Sequence, residues 1–120
     1  EDAPMTKPEE RTVERTEHKC GGDGHVLIEP LLGDKEMDGK VKLFARVTLE
    51  PGCSLGYHEH HGNSETYYIL TGSGRYNDNG AMLDVGPGDV TFTPSGSGHG
   101  LANTGKDNLE FMALIINGDS

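Results

Sequence analysis

Three of the six histidines in this chain fall in a pattern that suits metal chemistry. His58 and His60 are separated by one residue, Glu65 lies five positions beyond His60, and His99 stands much further along. Strand side chains alternate between two faces, so imidazoles at i and i+2 project from the same one. A carboxylate a few residues later can swing back toward them across a turn. Neutral imidazole and carboxylate are the donors that suit zinc, iron, nickel and manganese. If the fold brings His99 against this trio, three histidines and one carboxylate would hold one divalent transition ion. On a five- or six-coordinate ion they would leave one or two positions open for water, substrate or oxygen, and an open position is what separates a reactive centre from a closed structural one.

The segments that must position these groups read as strands. From Val41 onward, runs of β-branched and aromatic residues alternate with Gly, Pro, Asn and Asp, the signature of short strands joined by tight turns. Strands are expected at 41–50, 66–70, 75–77, 81–85, 90–93, 99–103 and 109–116, with an earlier one at 25–32 interrupted by Pro30. Asp78-Asn79-Gly80 predicts a hairpin turn, because Asn and Gly tolerate positive φ. In 41–50, Leu43, Ala45, Val47 and Leu49 alternate with Phe44, Arg46 and Thr48, so neither face is simply wet. Such a strand suits a barrel wall whose outer side is covered by another sheet or subunit. Residues 33–40 read as a charged loop, and no segment carries a convincing helical period. The expectation is an all-β domain over residues 25–120, closed as a barrel or a double-sheet jelly roll. Residues 1–24 are polar and read as an N-terminal arm, either disordered or an edge strand exchanged with a partner subunit, with a flexible turn at 20–24.

Parity sorts the neighbours of the candidate ligands. Glu59 and His61 have the opposite parity to His58 and His60 and should face water. Tyr67 shares the parity of Glu65, which makes it the foremost of the candidate cavity liners Tyr67, Tyr76, Phe44, Phe92 and Met112. Histidine ligands need an acceptor to fix their tautomer, and Asn63, Ser64 and Asn103 are candidates. Arg46 is expected either to anchor a substrate carboxylate or, preferably, to form a salt bridge at a dimer interface. His18 and His25 read as surface or arm residues, and Cys53 as a small packing residue.

These residues resemble the two signature motifs of the cupin superfamily. The first, G-x5-H-x-H-x3-4-E-x6-G, is met by Gly52, His58, His60, Glu65 and Gly72. The second, G-x5-P-x-G-x2-H-x3-N, is met by Gly88, Pro94, Gly96, His99 and Asn103. Each position would match by chance roughly once in twenty, so coincidence is negligible. The short segment between the motifs is similar to that of small single-domain bacterial cupins. The resemblance implies a cupin barrel with His58, His60, Glu65 and His99 as metal ligands, and a homodimer. It does not name the ion (Fe, Mn, Ni or Zn) or the reaction, since cupins with such ligands act as dioxygenases, decarboxylases, isomerases and lyases.

Composition narrows the partners. Twenty acidic against ten basic residues give a net charge of −10, which argues against nucleic acid and against anionic membranes. There is no apolar run of spanning length and no signal-peptide core. The chain opens on Glu1 rather than Met, which leaves a removed leading segment open; the cytoplasm is the default expectation. Two cysteines, Cys20 and Cys53, do not make a disulfide framework and read as free thiols. The functional expectation is a metalloenzyme acting on a small oxygenated metabolite, of dioxygenase type, with Glu65 or Tyr67 moving a proton. The alternative is a non-catalytic metal- or metabolite-binding or sensing protein.

Overall fold

The computed structural model describes residues 5–118. Among these residues ten strands form two antiparallel sheets packed face to face. The larger has the order β1-β2-β3-β10-β5-β8, with β1 Glu14–Glu17, β2 His25–Pro30, β3 Val41–Leu49, β10 Leu109–Asn117, β5 Asn63–Thr71 and β8 Val90–Thr93. The smaller has the order β4-β9-β6-β7, with β4 Ser54–Glu59, β9 Gly98–Asn103, β6 Gly74–Asp78 and β7 Ala81–Val85. This is the double-sheet β-barrel that the turn spacing predicts. Among the described residues no helix is long and apolar enough to cross a membrane.

Alternation decides what enters the barrel. In β3, Ala45, Val47 and Leu49 are buried while Arg46 is exposed. In β5, Asn63, Glu65, Tyr67 and Ile69 point inward and Tyr68 points out. In β10, Leu109, Phe111 and Ala113 complete the same core. The hairpin β6–β7 turns on Asn79 and Gly80, both at positive φ (51° and 102°), as its Asn-Gly pair demands.

Several segments differ from their sequence reading. The charged loop at 33–40 contains a single-turn helix α1, Asp34–Met37; the Glu36 carboxylate accepts from the Gly33 amide at 2.8 Å, and Asp38 leaves the turn in a left-handed conformation. One turn is too short to show an amphipathic period. Arg46 is half-exposed and pairs with Glu110 on the neighbouring strand β10. Phe92 is 59% exposed on the outer face, so it does not line the interior. Strand β1 is an edge of the larger sheet, paired to β2, and Arg11 bonds Glu29 at 2.9 Å. Residues 1–4 of the expected arm and 119–120 of the expected barrel lie outside the described residues. The turn at residues 18–24 packs against β4: Asp23 donates its amide to Ser54 Oγ at 2.8 Å and accepts from the Ser54 amide at 2.9 Å.

Candidate metal centre

A β-bulge in β4 aims the first histidine. Leu55 faces Leu101 of β9 and His58 faces His99, so three steps along β4 match two along β9. An extra residue re-aims the side chain that follows it. Leu55 and His58 therefore both face the interior despite their opposite parity. The turn at 18–24 buttresses the bulge. A Cβ on Gly56 would overlap the Cys20 carbonyl, and one on Gly22 would overlap the Ser54 carbonyl, so both positions require glycine for backbone contact. His60 is fixed by two backbone bonds to the loop before His99: its amide donates to Ser97 at 2.9 Å and its carbonyl accepts from Gly96 at 2.7 Å. The two distant motifs are thus stitched together beside the centre. Glu65 comes from the opposite sheet, on β5.

His58, His60, Glu65 and His99 converge so that one donor atom from each lies within 4.8 Å of the others. His99 Nε2 is 3.1 Å from both His58 Nε2 and His60 Nε2, and 2.9 Å from Glu65 Oε1. Glu65 Oε1 is 3.0 Å from His60 Nε2 and 3.9 Å from His58 Nε2. His99 and Glu65 are buried, at 0% and 4% exposure, as is His60, while His58 lines the open side.

The tautomers point the same way. His58 Nδ1–H donates to the Gly56 carbonyl at 2.8 Å, and His60 Nδ1–H donates to Asn63 Oδ1 at 2.7 Å. His99 Nδ1 lies 2.9 Å from both the Tyr76 and Thr93 hydroxyls, which are 3.0 Å from each other. With Nδ1 protonated, His58 and His60 present Nε2 lone pairs to one point beside a carboxylate, and His99 does the same when its Nδ1 donates to one of the two hydroxyls. Four converging lone-pair donors repel one another unless a cation or protons lie between them. Bonds of about 2.0–2.2 Å to one ion place adjacent donors roughly 3 Å apart. The donor set therefore fits a single transition ion with little rearrangement.

Electrostatics couples the four groups. Burial pushes the Glu65 carboxyl up, but hydrogen bonds from His58 and His99 outweigh it and hold the group at about 2. The Glu65 hydrogen bond raises His58 above its usual 6.5. Burial lowers His99, against the pull of Glu65. Burial and the nearby Glu65 charge push the Tyr67 phenol well above 10, so it stays protonated. Its ring stacks on His99, with centroids 4.7 Å apart and planes at 21°, and its hydroxyl lies 3.4 Å from His99 Nε2.

A cavity of about 700 Å³ reaches the centre from outside, with His58, His60, Glu65 and Tyr67 at its inner end. Of the expected liners only Tyr67 meets it, and Phe111 takes the place given to Met112. The run Phe-Met-Ala-Leu-Ile at 111–115 has no apolar–polar alternation from which an inward parity could be read. Glu59 and His61 form an exposed pair 3.1 Å apart, as their parity predicts. His25 lies away from the centre, bonded to Glu50 at 2.5 Å beside buried Cys53. Of the proposed tautomer anchors, Asn63 serves His60, whereas Asn103 donates to the Leu49 and Asp107 carbonyls and holds a turn. Thr93 and the Gly56 carbonyl lie outside the tethers that residue type and spacing suggest. Thr93, one residue before Pro94 of the second motif, carries the only hint.

A two-sheet β-barrel with an inward, one-sided cluster of three imidazoles and a carboxylate defines a class of metal-binding barrel proteins. The cupin domain model matches residues 45–115. The chain belongs to the cupin family. It is 46% identical to the oxalate-binding protein of Thermotoga maritima over 93% of each chain. A crystal structure of a predicted oxalate decarboxylase from Thermotoga maritima superposes with a TM-score of 0.90 at 45% identity, covering 94% of this chain and 98% of that one. KdgF from Halomonas, at 16% identity, covers 96% of this chain and 94% of its own, with a TM-score of 0.74, and shares the fold.

Proposed function

We propose that this cupin holds one divalent transition ion on His58, His60, Glu65 and His99, and that the ion binds a small oxygenated acid of the oxalate class. One observation carries the reading: three imidazoles with tethered Nδ1 atoms turn their Nε2 lone pairs, together with Glu65, toward one point at the end of an open cavity. When bound, the ion would supply Lewis acidity and an open position for carboxylate or carbonyl oxygens. The chain's own residues do the rest. Glu65, ionised above about pH 2, neutralises cationic charge at the centre. The buried Tyr67 hydroxyl keeps its proton and presents it beside Glu65 and His99. The name of the Thermotoga maritima relative supports the ligand class.

The test is elemental analysis of natively expressed protein, followed by calorimetric titration of the loaded protein with oxalate. About one ion per chain and saturable oxalate binding are the expected results. Loss of neither metal nor oxalate binding in His99→Ala would overturn the assignment.

Turnover is the second reading, favoured by the placement of Tyr67. Glu65 and Tyr67 would be the proton-moving groups, with dioxygenase-type chemistry as the leading class. Oxygen uptake and carbon dioxide release on small acids, each compared with Tyr67→Phe, separate an enzyme from a non-catalytic binding or sensing cupin. The proposed setting is the cytoplasm, which suits Cys20 and Cys53 as free thiols. The proposed assembly is a homodimer through the outer face of the larger sheet.

A further inference from the structure

The cavity is chemically one-sided. Its inner end carries the candidate donors and the Tyr67 hydroxyl, and its mouth carries Glu14, Lys19, Asp34 and Lys42. Between these ends the walls are hydrocarbon: Ile28 from β2, Leu43 and Val47 from β3, and Phe111, Ala113 and Ile115 from β10. The volume, about 700 Å³, lies in the range of cavities that enclose drug-sized ligands. A two-carbon diacid would occupy a small fraction of it. Its two outer oxygens, one on each carboxylate beyond the pair that chelates, would face apolar wall and lose hydration without a replacement partner.

From this we infer that the preferred ligand is an acid with a chelating oxygen pair at one end, such as a 2-oxo or 2-hydroxy carboxylate, and an apolar body of several carbons. The head meets the centre. The body lies along Ile28, Leu43, Val47 and Phe111 and displaces poorly satisfied water from them. The inference rests on the metal-centre reading above and keeps its chelating head, but extends the ligand from a two-carbon diacid to a longer acid. A mouth of mixed charge sign attracts no second anion strongly, which leaves the body to set selectivity.

The test uses the full chain loaded with its metal and compares oxalate, pyruvate, 2-oxobutyrate, 2-oxohexanoate and phenylpyruvate by isothermal calorimetry. The four 2-oxo acids share a single-charge head, so their differences isolate the body. Each buried methylene should tighten binding by up to about fourfold, and 2-oxohexanoate should bind at least about tenfold tighter than pyruvate. Ile28→Gln and Leu43→Gln place polar groups on the wall at positions that are only partly buried. They should remove most of that gain, so that the ratio of 2-oxohexanoate to pyruvate affinity falls toward one in protein that still holds its metal. Equal affinity for pyruvate and 2-oxohexanoate in a protein that binds metal and oxalate would overturn this inference alone. So would equal loss of both acids in the Gln variants. A protein that takes up no metal would overturn the centre itself and the ligand class with it.

Discussion

At the residue scale, the centre is organised by what each histidine does with its other nitrogen. Asn63 accepts from His60 Nδ1, so Asn63→Leu removes the acceptor at nearly constant size and frees the ring. Loss of such a tether costs about 10–100-fold in metal affinity, and competition with a chromophoric chelator measures it. Ser64, its neighbour, should tolerate Ala without that loss. Protons compete with metal at the same nitrogens. In the metal-free protein the Glu65 hydrogen bond raises His58 above 6.5, whereas burial lowers His99. Metal binding must therefore expel the His58 proton at and below neutral pH, and affinity should fall as pH drops through that raised value. Calorimetry in two buffers of different ionisation enthalpy should show proton release that grows on acidification. Proton release that stays at zero between pH 6 and 7 would contradict the coupling.

At the scale of elements, the bulge in β4 connects residues 18–24 to the centre. The Gly56 carbonyl accepts from His58 Nδ1, and the Gly56 Cα faces the Cys20 carbonyl with no room for a Cβ. Gly56→Ala should destabilise the fold by about 1–3 kcal/mol, as overpacking does, and weaken metal binding, because the displaced carbonyl is the one that orients His58. Thermal melts with and without metal would separate the two effects. A normal melting temperature with normal metal affinity would show that the turn does not support the bulge. This element also marks how far the sequence could be read. The shared inward parity of Glu65 and Tyr67 on β5 was legible because residues of one strand alternate regardless of their partners, whereas β3, apolar on both faces, did not say which set turned inward, and Phe44 lies on the opposite face to the buried Ala45, Val47 and Leu49. The convergence of His58, His60, Glu65 and His99 was legible because they keep a family spacing. The bulge was not, since it is a mismatch between β4 and β9 and belongs to neither strand alone. The Tyr76–Thr93–His99 cluster was hidden for a related reason: β6 must pair with β9, and the sheet that carries β8 must pack against them, before those side chains meet. The pairing of Arg46 with Glu110 likewise required knowing that β3 lies beside β10.

At the scale of the whole molecule, the larger sheet turns an apolar face outward. Cross-strand register sets two rows on it: Phe92, Thr66, Leu114 and Phe44 in one, and Val90, Tyr68, Met112 and Arg46 in the other. Phe92, Val90 and Tyr68 are 59%, 64% and 46% exposed, while Thr93 on the same short strand is fully buried. Strand β8 therefore places its large apolar side chains toward solvent and a hydroxyl toward the core, the inverse of a strand facing water. Edge strands with such a surface invite pairing or need cover. A second copy of the same sheet would cover it by a two-fold contact, in which each residue of the patch is used twice. Phe92→Glu would then bury two uncompensated charges per dimer and weaken association by about a hundredfold or more. Light scattering after size exclusion should find the unsubstituted protein as a dimer at micromolar concentration and Phe92→Glu as a monomer. The far-UV circular dichroism and metal content of the variant should be unchanged, because Phe92 points away from the cavity while the adjacent Thr93 points into the core. A monomeric unsubstituted protein would leave the inverted strand without its partner. A variant that stays dimeric would move the contact to another face.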